Sequence, residues 1–366
     1  MSAAPPDPVD ALRGTLEQLM TGYSLSAVVF AAVELRLFDR LADGPASPDE
    51  LALRMGTSTS GAARLCTALT ALGLLRRGED GRFAAVAGAS ELLGEGDRSL
   101  RPVVLHHQRH LAPLMMRLPA AIRDARPQHA AWSFASPDAD RRHCYDELAR
   151  HPHEYELFLA AMDRTSAGVG ADIAQAFELR GTRRWIDLGG GSGRVARELL
   201  AADPDLEIEL LDLEVACRLA EQKAAEAGLG GRFRATAIDF RRPLTPDAAP
   251  VPGDVVLLSG ILADFGLDHC REILANAARL LRPDGVLLVS ETLLDATRTG
   301  PLLPALLSLL MLAAMPGDSF TLPELSSLLA DAGFVVERHV PPRAPGRRDL
   351  LVCQKRPAAA AAPTPI

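Results

Sequence analysis

Between Leu12 and Asp163 apolar residues recur at three- and four-residue spacing, the period of helices with one buried face. The segment SLSAVVFAAVELRLFDRLADG (24–44) predicts one strongly apolar helix ending near Gly44. Ser47 is placed to cap a short helix, Gly56 to turn the chain, and Ser58 or Thr59 to start a second helix through Leu72. Gly73 ends that helix, and LLRRGEDGRFAAV (74–86) reads as a hairpin turning at Asp80-Gly81. The outline is a winged helix-turn-helix.

Beyond residue 181 the pattern changes to strands alternating with helices. The strands read RRWIDLGGG (183–191), LEIELLDL (206–213), RFRATAID (232–239), GDVVLLSGI (253–261), GVLLVSETLL (285–294), FVVERHV (334–340) and DLLVCQK (349–355). This predicts a doubly wound, Rossmann-like α/β sheet of seven strands, with ligands at the strand carboxyl ends. PLLPALLSLLMLAAMP (301–316) is bounded by prolines and too short for a membrane span, and reads as a buried helix. The expected division is a low-complexity tail (1–11), a helical winged-helix domain (12–165), the sheet domain (166–355) and a second tail (356–366).

Composition narrows the function. A net charge of −8 disfavours a nucleic-acid partner. The second helix of the winged outline carries a single arginine, Arg64, so the shape reads as structural, with a small-molecule-sensing regulator the least favoured alternative. Lys223 and Lys355 are the only lysines, a coding bias without functional content. The five cysteines are scattered with no C-x-x-C pair, so neither a metal site nor a disulfide framework is expected. The start MSAAPPDPVD lacks a basic end and an apolar run, so a cytoplasmic protein without a membrane anchor is expected.

The chemistry concentrates in WIDLGGGSGRVA (185–196), a strand, a glycine turn and a helix start. A dinucleotide fingerprint needs a third glycine where Arg194 stands. Gly189, Gly191 and Gly193 behind Asp187 suit a cofactor without pyrophosphate and with an amino-acid end, whose ammonium Asp187 can receive. Asp212 ends the next strand and is placed to accept ribose hydroxyls. Asp239 ends the third and is placed to accept from an adenine amino group, with Phe240 against the ring.

With DLGGGSG (187–193), LDLEV (211–215), IDF (238–240), LLRPDGVLLVSE (280–291) and LLADAGF (328–334), residues 20–355 resemble the S-adenosylmethionine-dependent small-molecule O-methyltransferases of plant phenolics and bacterial polyketides. The resemblance implies a winged-helix dimerisation domain, a homodimer, a small-molecule acceptor and S-adenosylmethionine as cofactor. It adds Leu213 and Ser259 to the cofactor residues, and Met162, Ser166, Phe265, Met311 and Met315 to those around cofactor and acceptor.

One motif departs from the family. Where it reads L-H-D-W, with the histidine as general base, this chain has Leu262-Ala263-Asp264-Phe265. Of two flanking glutamates, one matches Glu291, and the other falls at Ser319 with Asp318 as a stand-in. Asp264 and Glu291 are expected to orient the acceptor. His106 and His110, on one face of a helix in HHQRH, are candidate substitutes for the base. His269 is expected to face outward. Losing the base removes roughly 10²–10⁴-fold of rate, which an acceptor acidified by a neighbouring carbonyl does not need. Two readings stay open: methyl transfer to an aromatic or polyketide-like metabolite with little base assistance, or a cofactor-binding decarboxylase, hydroxylase or pericyclase in which the sulfonium is only a fixed charge.

Overall fold

The computed structural model describes residues 7–179, 181–245 and 249–356, and the chain forms two compact units, Met1–Ala112 and Pro113–Ile366. Most of each expected tail, 1–6 and 357–366, lies outside the described residues. Residues 8–11 do not belong to a tail: the first helix is Pro8–Glu34. The Asp7 carboxylate accepts from Val9 N at 2.9 Å and Pro8 occupies the first turn, which together set the helix start. The single helix expected to reach Gly44 is broken at Arg36, which adopts φ 57° and starts a short helix, Leu37–Arg40. Ion pairs from Arg36 to Asp39 and Glu95 hold this left-handed turn, and it swings Leu37 and Phe38 into the core.

Helix Pro48–Met55 opens with a reciprocal capping box between Ser47 and Glu50 and closes at Gly56, φ 68°. Helix Thr59–Ala71 is capped by Ser58, and β1 (Leu75–Arg77) pairs antiparallel with β2 (Phe83–Ala85). The winged outline holds, around Phe38, Leu51, Cys66, Leu69 and Phe83. Helix Pro8–Glu34 leaves Leu12, Leu16, Leu19 and Tyr23 exposed at three- and four-residue spacing.

In the second unit β3 (Arg184–Leu188), β4 (Glu207–Asp212), β5 (Phe233–Ala237), β6 (Gly253–Ser259), β7 (Leu281–Glu291), β8 (Phe334–Val340) and β9 (Asp349–Lys355) form one sheet in the order β5-β4-β3-β6-β7-β9-β8. All pairs are parallel except those made by β9. Strand order reverses between β3 and β6, and the carboxyl ends there form a crevice. Ile186, Leu188, Val256 and Leu258 fill one face; Trp185, Leu210, Val255 and Leu257 fill the other.

Two expectations change here. Residues 113–165, assigned to the N-terminal domain, cluster with the sheet. Helix Leu302–Ala314 is only half buried. Pro304, Met311, Ala313 and Ala314 face inward, while Leu302, Leu303, Leu306 and Leu309 stay exposed, because only one of its faces is covered by packing within the unit.

Candidate active site

The glycine loop follows β3. Gly189 (φ 82°) takes a backbone conformation that side chains strain, and a Cβ there would stand 2.5 Å from Ile261 Cδ1 and 3.1 Å from Phe240 Cζ. Gly191 N donates to Asp212 Oδ2 at 2.8 Å and Leu213 N to Asp212 Oδ1 at 2.7 Å, so the second acid fastens the loop to the end of β4. Gly193 (φ 73°) opens helix Arg194–Ala202. Asp187 is buried, and its Oδ2 has no hydrogen-bond partner among the described residues. Burial, and then the charge of Asp212, pushes the Asp187 carboxyl up to about 7. Burial also lifts Asp212 to about 6, against the hydrogen bonds it accepts from Leu213 and Gly191. An orphaned carboxylate oxygen beside a bare glycine turn fits the ammonium of an amino-acid cofactor. Asp239 lies at the third strand end as expected, with both carboxylate oxygens already bonded to Arg241 at 2.7 and 3.0 Å. Phe240 packs in the core, edge-on to Phe265 with centroids 6.4 Å apart.

Helix Pro152–Thr165 lies over the loop. Leu159 sits 3.9 Å from where a Gly191 Cβ would be. Asp163, which the sequence reading missed, accepts from Ser192 Oγ at 2.7 Å, Arg197 Nη2 at 2.8 Å and Lys223 Nζ at 2.9 Å. Against the penalty of burial, these bonds hold its carboxyl down at about 2. The same helix carries Met162 and is capped by Ser166. Met311 and Met315 share its apolar cluster with Tyr155 and Leu159.

The 3₁₀ turn Leu262–Asp264 stands where the base was sought. Glu291 Oε1 accepts from Ile261 N at 2.9 Å and Leu262 N at 2.8 Å, so it shapes the turn through the backbone. Asp264 accepts from the Tyr145 hydroxyl, and burial lifts its carboxyl to about 7 against that bond. Ser319 is buried and donates to Pro304 O. Asp318 is no stand-in for the second acid, being tied to Arg298 and Ser308 at the surface. Gly317 packs on the Ala263 carbonyl so closely that no Cβ fits.

His143 was also missed. Its ring stacks on Phe265 with centroids 5.0 Å apart, and its Nδ1 accepts from Tyr145 N at 3.4 Å. Burial, and then Arg241, lowers it to about 4, so the ring is neutral with its proton on Nε2. That nitrogen is a donor, not a base, and it is buried without a hydrogen-bond partner among the described residues, while the residue borders a recess of about 210 Å³ with Asp146, Asp239, Arg241, Arg242 and the exposed His269. His106 and His110 belong to the first unit. There a π turn, His107–Leu111, buries both and brings their Nδ1 atoms to 2.7 Å. They partner each other, and burial together with His110 and His107 holds His106 near 3. Among the described residues no group of His, Cys, Asp and Glu is arranged to hold a metal ion.

Residues 115–335 match the O-methyltransferase domain family and residues 17–94 its dimerisation domain. A 3-hydroxy-5-methyl-1-naphthoate 3-O-methyltransferase of Streptomyces sahachiroi is 35% identical, over 92% of this chain and 93% of that protein. Human N-acetylserotonin methyltransferase in complex with S-adenosylmethionine superposes with a TM-score of 0.84 at 26% identity, over 97% of this chain and all of that one. An O-methyltransferase from neocarzinostatin biosynthesis, in complex with S-adenosylmethionine and 2-hydroxy-5-methyl naphthoic acid, gives 0.73 at 25% identity, over 90% of this chain and 95% of that one. The chain therefore belongs to the S-adenosylmethionine-dependent O-methyltransferase family.

Proposed function

We propose that this protein, as a homodimer, transfers a methyl group to an acidic hydroxyl on a small aromatic or polyketide-like metabolite, without a general base from the protein. The observation that carries this is Ala263, standing where the family has its histidine, beside a glycine loop and buried Asp187 that fit the cofactor. S-adenosylmethionine supplies a methyl group on a sulfonium, already activated for in-line displacement. The chain's own task is to hold the acceptor oxygen on that line, and positioning of this kind is a large share of the rate. Glu291 fixes the 261–264 turn, Tyr145 holds Asp264, and Met311 and Met315 offer an adaptable apolar wall for a flat ring. The named relatives support the acceptor class. Two are named with hydroxynaphthoates, in which a ring hydroxyl sits on the same aromatic system as a carboxyl group.

The test is a series of hydroxyarenes of graded hydroxyl pKa, assayed for kcat/KM across pH with product and S-adenosylhomocysteine measured together. The midpoint of each profile is expected to follow the acceptor's own pKa. With S-adenosylmethionine saturating at every pH, a midpoint fixed near 7 for every acceptor that disappears in Asp264→Asn would assign the base to Asp264 and overturn the base-free reading. Acceptor turnover with the cofactor intact would overturn methyl transfer itself.

A further inference from the structure

Arg348 stands immediately before β9 and sends its guanidinium across the carboxyl end of β6. Nη1 donates to Ser259 Oγ at 2.8 Å and Nη2 to Ser166 Oγ at 3.5 Å. The group lies against Gly260, where a Cβ would come 2.7 Å from Nη1. A guanidinium has five donors, and the hydrogen bonds this one makes among the described residues go to two neutral hydroxyls. Glu291 and Asp264 act on it through space only. A partly buried cation with donors to spare and no carboxylate in contact is arranged for an anion.

The two hydroxyls say which anion. Ser259 ends the strand beside β3, and Ile261, two residues on, packs against Gly189 of the loop. Ser166 caps the helix that Asp163 fastens to Ser192 of the same loop. Arg348 therefore reaches the same end of the cradle as Asp187, whose buried Oδ2 has no hydrogen-bond partner among the described residues. An α-amino acid carries both complementary charges on one carbon. We propose that Arg348, with Ser166, binds the α-carboxylate of the cofactor's methionine end while Asp187 binds its ammonium. This rests on the S-adenosylmethionine site described above and not on the identity of the acceptor.

The test is calorimetric titration of the full chain with S-adenosylhomocysteine and with its decarboxylated analogue, which keeps the amine and thioether. Wild type is expected to prefer S-adenosylhomocysteine by about ten- to a hundredfold, the worth of one charge-assisted contact. Arg348→Met is expected to erase that preference while leaving the analogue's affinity unchanged, and Arg348→Lys to recover part of it. The analogue serves as the control for folding. Equal weakening of both ligands in Arg348→Met would make Arg348 a prop for the site and overturn the proposal, as would an intact preference. If Arg348→Met leaves the preference intact but raises KM for a hydroxynaphthoic acid and not for its amide, the carboxylate is the acceptor's and the proposal falls. Failure of wild type to bind S-adenosylhomocysteine would instead remove the cofactor reading beneath it.

Discussion

Asp187 links the site to pH. Its carboxyl is held near 7 because burial and Asp212 penalise its charge, and an ammonium ligand favours the charged form. With Asp187 in its proposed role, affinity is expected above pH 7 and is expected to be lost as pH falls through it. S-adenosylhomocysteine is expected to bind about tenfold more weakly at pH 6 than at pH 8, with proton release visible as a dependence on buffer ionisation heat. Asp187→Asn is expected to weaken binding by about ten- to a hundredfold and to flatten that pH dependence. A wild-type affinity flat between pH 6 and 8 would show that Asp187 does not meet the ammonium. Gly189 gives a second check. Alanine there meets both an unfavourable φ and the Ile261 side chain, so Gly189→Ala is expected to lose cofactor affinity while the far-ultraviolet circular dichroism stays unchanged.

At the scale of elements, Asp163 ties the 152–165 helix to the loop, the following helix and Lys223 of helix Glu214–Glu226. Removing its charge leaves the partly exposed Arg197 and Lys223 without their anionic partner, a loss of about 1.5–3 kcal/mol, the worth of hydrogen bonds to a charged group. Asp163→Asn is expected to lower the melting temperature and weaken cofactor binding together. The folded carboxyl lies near 2, below its ordinary value, so its contribution is complete above the unfolded pKa and disappears as pH falls through about 2. Acid titration of wild type against Asp163→Asn reads that window. This network also marks what the sequence withholds. The glycine loop, the three strand-end acids and the Ser47–Glu50 box are legible because their meaning is local: a turn, a strand end, a cap three residues from its partner. Asp163 meets partners 29 to 60 residues away, Tyr145 meets Asp264 across 119, and Arg348 meets Ser166 across 182. No spacing rule reaches that far. The left-handed turn at Arg36 was hidden for a related reason: its distant partner, Glu95, is 59 residues away.

At the scale of the molecule, the exposed row on helix Pro8–Glu34 calls for a cover. Leu12, Leu16, Leu19 and Tyr23 are 49 to 74% exposed, yet each such side chain is worth about 1.5–3 kcal/mol when buried. The helix overlaps the matched dimerisation domain, and a two-fold axis would set one row against its copy. By length and composition the same helix also passes for a membrane span, so the two covers need separating. Light scattering on the eluting protein is expected to give twice the 39.0 kDa chain mass. Leu16→Glu combined with Leu19→Glu is expected to halve it, leaving S-adenosylhomocysteine affinity intact because the cofactor residues lie in the second unit. Flotation with neutral phospholipid vesicles is the counter-test. Wild type that floats, and a charged variant that does not, would give the row to a bilayer and remove the dimer. Wild type that stays with the soluble fraction at dimer mass assigns the row to a second copy of the chain.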